Sequence, residues 1–177
     1  LKAIYNQQNI DTSIYPFGND KKKYQIPASK NIKKSLTVEE IAKIYNYEPK
    51  PMSGKDMAKD YWLFLYLANG MNVKDFCMLK WENIDGKMLK YKRAKTKRSQ
   101  KESKYISVAL KDETLDIIKK WGQPSILKNA YIFPHLKPEF TAEKEYAVYQ
   151  QLTKNINKYM KVISVELGLK KSITTYF

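Results

Sequence analysis

Between Tyr91 and Lys104 the chain places seven cations, Lys92, Arg93, Lys95, Lys97, Arg98, Lys101 and Lys104, against one acid, Glu102. The flanking runs YKRA and YISV read as β-strands, so a net +6 sits at the tip of a hairpin. A second window, KKKYQIPASKNIKK at 21–34, holds six lysines (Lys21, Lys22, Lys23, Lys30, Lys33, Lys34) and no acid. Together the two windows carry +12 of the formal +15 of 177 residues, which leaves the rest nearly neutral. A solvated face normally mixes signs, whereas one-signed blocks suit a polyanionic partner. Nucleic acid is the first candidate and an anionic membrane surface the second. The chain has two arginines, Arg93 and Arg98, and both fall in the hairpin. A guanidinium fork can hold two phosphate oxygens at once.

Other chemistries find little support. Cys77 is the single cysteine, which rules out an internal disulfide and makes a reducing, cytoplasmic setting the default. It reads as a core filler in DFCML. His135 is the single histidine, and FPHLKP reads as an ordinary loop. One Cys and one His fall short of the usual zinc ligand set without much carboxylate help. SGKD at 53–56 lacks the upstream glycine of a phosphate loop, Pro49 standing in that place. No apolar run approaches the ~18 residues of a membrane-spanning helix, and no signal peptide is visible.

The elements that position the hairpin are legible. Thr37 and Glu40 form a capping box, with Leu36 and Ile41 as a hydrophobic staple, predicting a helix over about 38–47. DMAKDYWLFLYLANG is apolar almost all round from Tyr61 to Ala68, the pattern of a buried helix closed by Asn69-Gly70. Asn72 then caps a short helix, VKDFCMLKW, with Asp75 three residues on. Strands are predicted near 87–94 and 104–110, with WENID as a candidate first strand. A helix over 112–121 ends at Gly122, a good C′ residue. AYIFP is short and extended. From Thr141 a long helix carries Val148, Leu152, Ile156, Tyr159, Ile163 and Leu167 in one stripe closed by Gly168. The expected fold class is mainly α with a small three-stranded antiparallel β-sheet, an α+β fold.

The order LTVEEIAKI, LANGMNVKDFCMLKWENID, KRAKTKRS…YISVAL, YIFP, then a long helix into ITTYF resembles the catalytic domain of tyrosine recombinases, the phage-integrase family, and most the integrases of mobile elements. The resemblance covers about 35–177. Residues 1–17 then resemble the end of a preceding core-binding helical domain, and 18–34 a basic linker. It implies a double-stranded DNA partner, other recombinase subunits on that DNA, and no cofactor, membrane or small-molecule substrate. It also implies that a tyrosine attacks the scissile phosphate, forming a phosphotyrosyl link and freeing a 5′ oxygen. Two arginines brace the phosphate, a hairpin lysine acts as general acid and histidines assist. Lys95 in RAKTK falls at the hairpin-lysine position, where cationic neighbours would make it a better acid. Arg93, two residues away and on the same strand face, is the candidate brace, the alternative being contact with a neighbouring backbone phosphate. Lys92, Lys97, Arg98, Lys101, Lys104, Lys21, Lys22, Lys23, Lys33 and Lys34 are candidate DNA-backbone contacts.

The match departs at two places. The family pattern T-G-L-R-x-x-E has its arginine where NGMNVKD has Asn72. ITTYF resembles the lead-in to the box H-x-x-R, with Tyr176 in the histidine place, and none of the 14 tyrosines follows that box. The resemblance therefore implies that the intact protein is an enzyme while this chain lacks the C-terminal catalytic segment and does not cleave DNA by itself. The alternative is a non-catalytic DNA-binding module on the same fold. An RNA-binding role fits only the charge, because Tyr91 and Tyr105 read as ordinary strand residues.

Overall fold

A computed structural model describes residues 11, 15–18, 23–24, 35–94 and 105–176. The chain divides into two compact units, Leu1–Lys33 and Lys34–Phe177. In the first, Phe17 and Tyr24 form an isolated parallel bridge, with Tyr24 N–H donating to Pro16 O at 2.8 Å. Their rings meet edge-on at 6.1 Å.

The second unit contains α1 (Val38–Tyr45), α2 (Gly54–Leu67), α3 (Val73–Cys77), β1 (Ile84–Asp85), β2 (Met88–Lys92), β3 (Tyr105–Ala109), α4 (Asp112–Trp121) and α5 (Ala142–Glu166). The sheet is antiparallel in the order β1-β2-β3, the mixture expected from the sequence. Both halves of the capping box form on α1: Thr37 N–H donates to Glu40 Oε2 at 2.8 Å, and Glu40 N–H donates to Thr37 Oγ1 at 3.2 Å. Ser53 caps α2 by accepting from Asp56 N–H at 3.2 Å. That gives the SGKD stretch a helix-start role.

Helix α2 is the centre of the core, with Tyr61, Trp62, Leu63, Phe64 and Leu65 all buried between α4 and α5. Each such side chain contributes about 1.5–3 kcal/mol relative to exposure. On α5 the stripe buries Leu152, Ile156 and Ile163, while Val148, Tyr159 and Leu167 are half-buried. Met160, outside the predicted stripe, is fully buried beside them. At 3.6 residues per turn, positions 159 and 160 both border a stripe through Ile156 and Ile163.

Three local readings are corrected. Only Ile84–Asp85 of WENID pairs with β2, and Trp81–Asn83 form a 3₁₀ turn. Trp81 and Glu82 donate their N–H groups to Ala130 O (3.1 Å) and Lys128 O (2.6 Å), so neither is free for a ladder. Gly122 caps α4 in extended backbone, φ −78°, not left-handed. Space is what requires glycine there, since a Cβ would collide with Ile118 O and lie 3.3 Å from Ile132 O. His135 is packed rather than an ordinary loop residue: Nε2 is 3.0 Å from Tyr61 Oη, and the rings meet edge-on at 5.4 Å. Burial lowers its pKa to about 4. Cys77 is fully buried, and burial raises its thiol to about 12, which suits a core filler. Among the described residues no helix is long and apolar enough to cross a membrane.

Candidate nucleic-acid interface

The exit from α2 shapes the site. Asn69 (φ 58°) and Gly70 (φ 71°) are both left-handed, and the N–H groups of Gly70 and Met71 each close on Leu65 O at 3.1 Å. This turn delivers Asn72 to the start of α3. Asn72 Oδ1 accepts from Asp75 N–H at 2.8 Å, and Asn72 Nδ2 donates to Asp75 Oδ2 at 2.6 Å. The other carboxylate oxygen, Asp75 Oδ1, accepts from Ala94 N–H at 2.9 Å. Asp75 is only 4% exposed. Burial raises its pKa, opposed by the bonds from Ala94 and Asn72 and then by the charge of Arg93. A single buried carboxylate thus links the start of α3 to the end of β2.

Strand alternation explains where Arg93 goes. Leu89 and Tyr91 of β2 are buried, and Lys90 and Lys92 are exposed. Arg93 is in phase with the buried pair, but it follows the last ladder residue, Lys92, and so clears the core. It lines a cleft of about 1100 Å³ together with Asn72, Lys74, Lys111, Tyr149 and Tyr176. Three cations border this cleft, and among the described residues no Asp or Glu lines it. Lys74 Nζ lies 5.4 Å from the centroid of the Tyr149 ring, a cation–π distance. The chain beyond α5 is held to this wall twice. Trp62 Nε1 donates to Thr174 O at 2.9 Å, and Thr175 N–H donates to Asn157 Oδ1 at 2.9 Å.

Of the candidate catalytic and DNA-contact residues named from the sequence, Arg93 alone among the described ones lines the cleft, alongside Asn72 and Tyr176 from the two places where the family pattern departs. Lys92 faces the other side of the sheet, its Nζ 4.7 Å from the centroid of the cross-strand Tyr105 ring. Lys23 belongs to the first unit. Lys95, Lys97, Arg98, Lys101, Lys104, Lys21, Lys22, Lys33 and Lys34 lie outside the described residues. Sequence reasoning missed Lys74 and Lys111. Lys74 was within reach, standing two residues after Asn72 in NGMNVKD, whereas Lys111 carries no local signal. Among the described residues no group of three or more His, Cys, Asp or Glu side chains gathers as a metal site.

The Phage integrase family matches residues 34–176, well over half of the chain. The chain belongs to the phage integrase family. Membership supports a function of the tyrosine-recombinase type, with DNA as the partner it suggests. Neither the comparison with curated proteins nor that with solved structures gives a match. The segment that matches the integrase family begins at the first residue of the second compact unit, Lys34.

Proposed function

We propose that this chain is the DNA-binding catalytic domain of a site-specific tyrosine recombinase of the mobile-element type. It grips duplex DNA through the cleft and the basic hairpin and breaks and rejoins it through a phosphotyrosyl intermediate. The observation that carries this reading is convergence. Segments far apart in sequence (69–74, 93–94 and 175–176) border one cleft that is free of described acids. They are the segments in which the resemblance sets its first arginine, the approach to the hairpin lysine, and the lead-in to its second box.

In this reading Arg93 braces the scissile phosphate. A guanidinium in a partly enclosed cleft stabilises the charge added as the phosphorus is attacked. Lys95, two residues on, protonates the leaving 5′ oxygen. The attacking tyrosine comes from residues that follow the box introduced by ITTYF. Lys92, Lys97, Arg98, Lys101 and Lys104 contact the flanking backbone, and Lys21, Lys22, Lys23, Lys33 and Lys34 track the duplex. Other recombinase subunits share the DNA, with no cofactor or small-molecule substrate.

Asn72 favours a second reading, a DNA-binding module that kept the fold without the chemistry. Its side chain is engaged on both polar atoms with Asp75 and has no charge to offer a phosphate. Duplex binding across a salt series, with covalent capture on a nicked suicide substrate followed in parallel, tests both. Salt-sensitive binding, with covalent capture once the downstream tyrosine is present, supports the recombinase. Binding with no adduct even then favours the module, and no binding at all removes both.

A further inference from the structure

We infer that Lys74 and Lys111 form a phosphodiester-binding subsite beside Arg93, replacing with two ammonium groups the cation that Asn72 cannot supply. The inference rests on the DNA-binding reading above. Lys74 stands on α3, and Lys111 immediately precedes α4, so neither belongs to the hairpin or to the 21–34 window. Tertiary structure alone brings them to the same cleft as Arg93.

Charge and composition define the ligand class. With three cations and no described acid on its walls, the cleft concentrates positive potential where an anion can approach. The acid nearest in sequence, Asp75, is 4% exposed, and both its oxygens accept hydrogen bonds from Asn72 and Ala94. Its charge is therefore directed inward. The lining also supplies the exposed side chain of Asn69, a neutral group that can donate to phosphate oxygens without competing for the lysines. The Lys74 ammonium lies over the ring of Tyr149, which lines the same cleft. A phosphodiester suits such a site because ammonium groups act as point charges and tolerate a range of backbone orientations.

Both lysines can be removed without disturbing a cap. Met78 N–H uses the backbone carbonyl of Lys74, and Thr114 and Leu115 use that of Lys111. Both side chains are exposed. The test is binding of a short labelled duplex by the 177-residue chain across a salt series, comparing Lys74→Ala, Lys111→Ala, Lys74→Arg and the control Lys119→Ala. Lys119 is an exposed lysine that does not line the cleft. For each cleft lysine removed, we expect several-fold weaker binding at low salt and a log–log salt slope shallower by about 0.9. Lys74→Arg should restore both. Tyr149→Leu should weaken binding while leaving the slope near wild type, since the charge remains. Combining Lys74→Ala with Arg93→Ala should cost less than the sum of the two single losses if both hold neighbouring phosphates in one cleft. Unchanged affinity and slope in the lysine variants, or an equal loss in Lys119→Ala, would overturn the subsite while leaving DNA binding intact. Failure of the unaltered chain to bind duplex at any salt would remove the underlying reading itself.

Discussion

The backbone N–H of Ala94 donates to Oδ1 of Asp75 at 2.9 Å, joining two positions 19 residues apart. The second oxygen of the same carboxylate accepts from Asn72 Nδ2. Asp75→Ala leaves both donors without this partner and should destabilise the fold by about 1–3 kcal/mol in chemical denaturation. Arg93 directly precedes Ala94, so DNA affinity should fall as well. Normal affinity in a folded Asp75→Ala variant would mean that Arg93 is held by other contacts.

Asn72 is the place to test whether the cleft lacks a cation. Asn72→Arg removes an N-cap, an expected cost of about 1 kcal/mol. It also adds a charge at the cleft edge. Duplex binding at low salt should tighten and its salt slope steepen by about 1. A weaker or unchanged salt dependence would argue that DNA does not run past this corner.

The hairpin and the 21–34 window should separate kinetically. In the cleavage-competent protein, Lys95→Ala should slow strand cleavage by about 10²–10⁴-fold, the usual share of a general acid, with DNA binding nearly unchanged. Neutralising Lys21, Lys22 and Lys23 should weaken binding and flatten its salt dependence instead. If binding and cleavage fall together for Lys95→Ala, that lysine is only an electrostatic contact.

The sole histidine gives stability a defined acid limb. Burial against Tyr61 and Phe76 lowers the His135 pKa from 6.5 to about 4. The unfolded chain therefore takes up this proton first. The contribution is fully present above about pH 6.5 and is lost as pH falls toward about 4, on the order of 2 kcal/mol. Asp75, whose pKa is raised, works the opposite way and loses stability as pH rises through its range. Thermal unfolding of wild type against His135→Phe between pH 7 and 4 isolates the histidine, and parallel curves would remove this assignment.

Lys120 anchors α4 to α2. Its Nζ lies 2.7 Å from both Asp56 Oδ1 and Asp60 Oδ2, whose side chains are 7% and 12% exposed. Burial alone would lower its pKa, and the two carboxylates together raise it. Lys120→Met removes the counter-charge of two nearly buried carboxylates, although Met52 N–H still donates to Asp56 Oδ2 and Trp121 Nε1 to Asp60 Oδ2, each at 2.7 Å. Because Lys120 itself is 37% exposed, a loss of about 2 kcal/mol is expected, below the range for breaking a fully buried pair. Urea denaturation measures it, and a change under about 0.5 kcal/mol would place the pair in the class of surface bridges.

Local chemistry made much of the fold legible. The Thr37–Glu40 box, the Asn72 cap, the helix start at Thr141, the Asn69-Gly70 exit and the α5 stripe each depend on residues within a few positions of one another. Periodicity and capping therefore sufficed for them. The same locality failed at WENID, where the N–H groups of Trp81 and Glu82 turn to Ala130 and Lys128. It failed again at His135, whose partner Tyr61 lies 74 positions away.

By itself the sequence determined the order and type of the helices and strands, the two basic windows, and the segments by which the chain resembles its family. These depend on composition and short-range spacing. Tertiary structure decided that Asn72, Lys74, Arg93, Lys111 and Tyr176 border one cleft, and that Asp75 turns its charge inward to hold Ala94. Cleft membership depends on how α2, α5 and the sheet pack, a long-range balance of buried surface that no local pattern encodes.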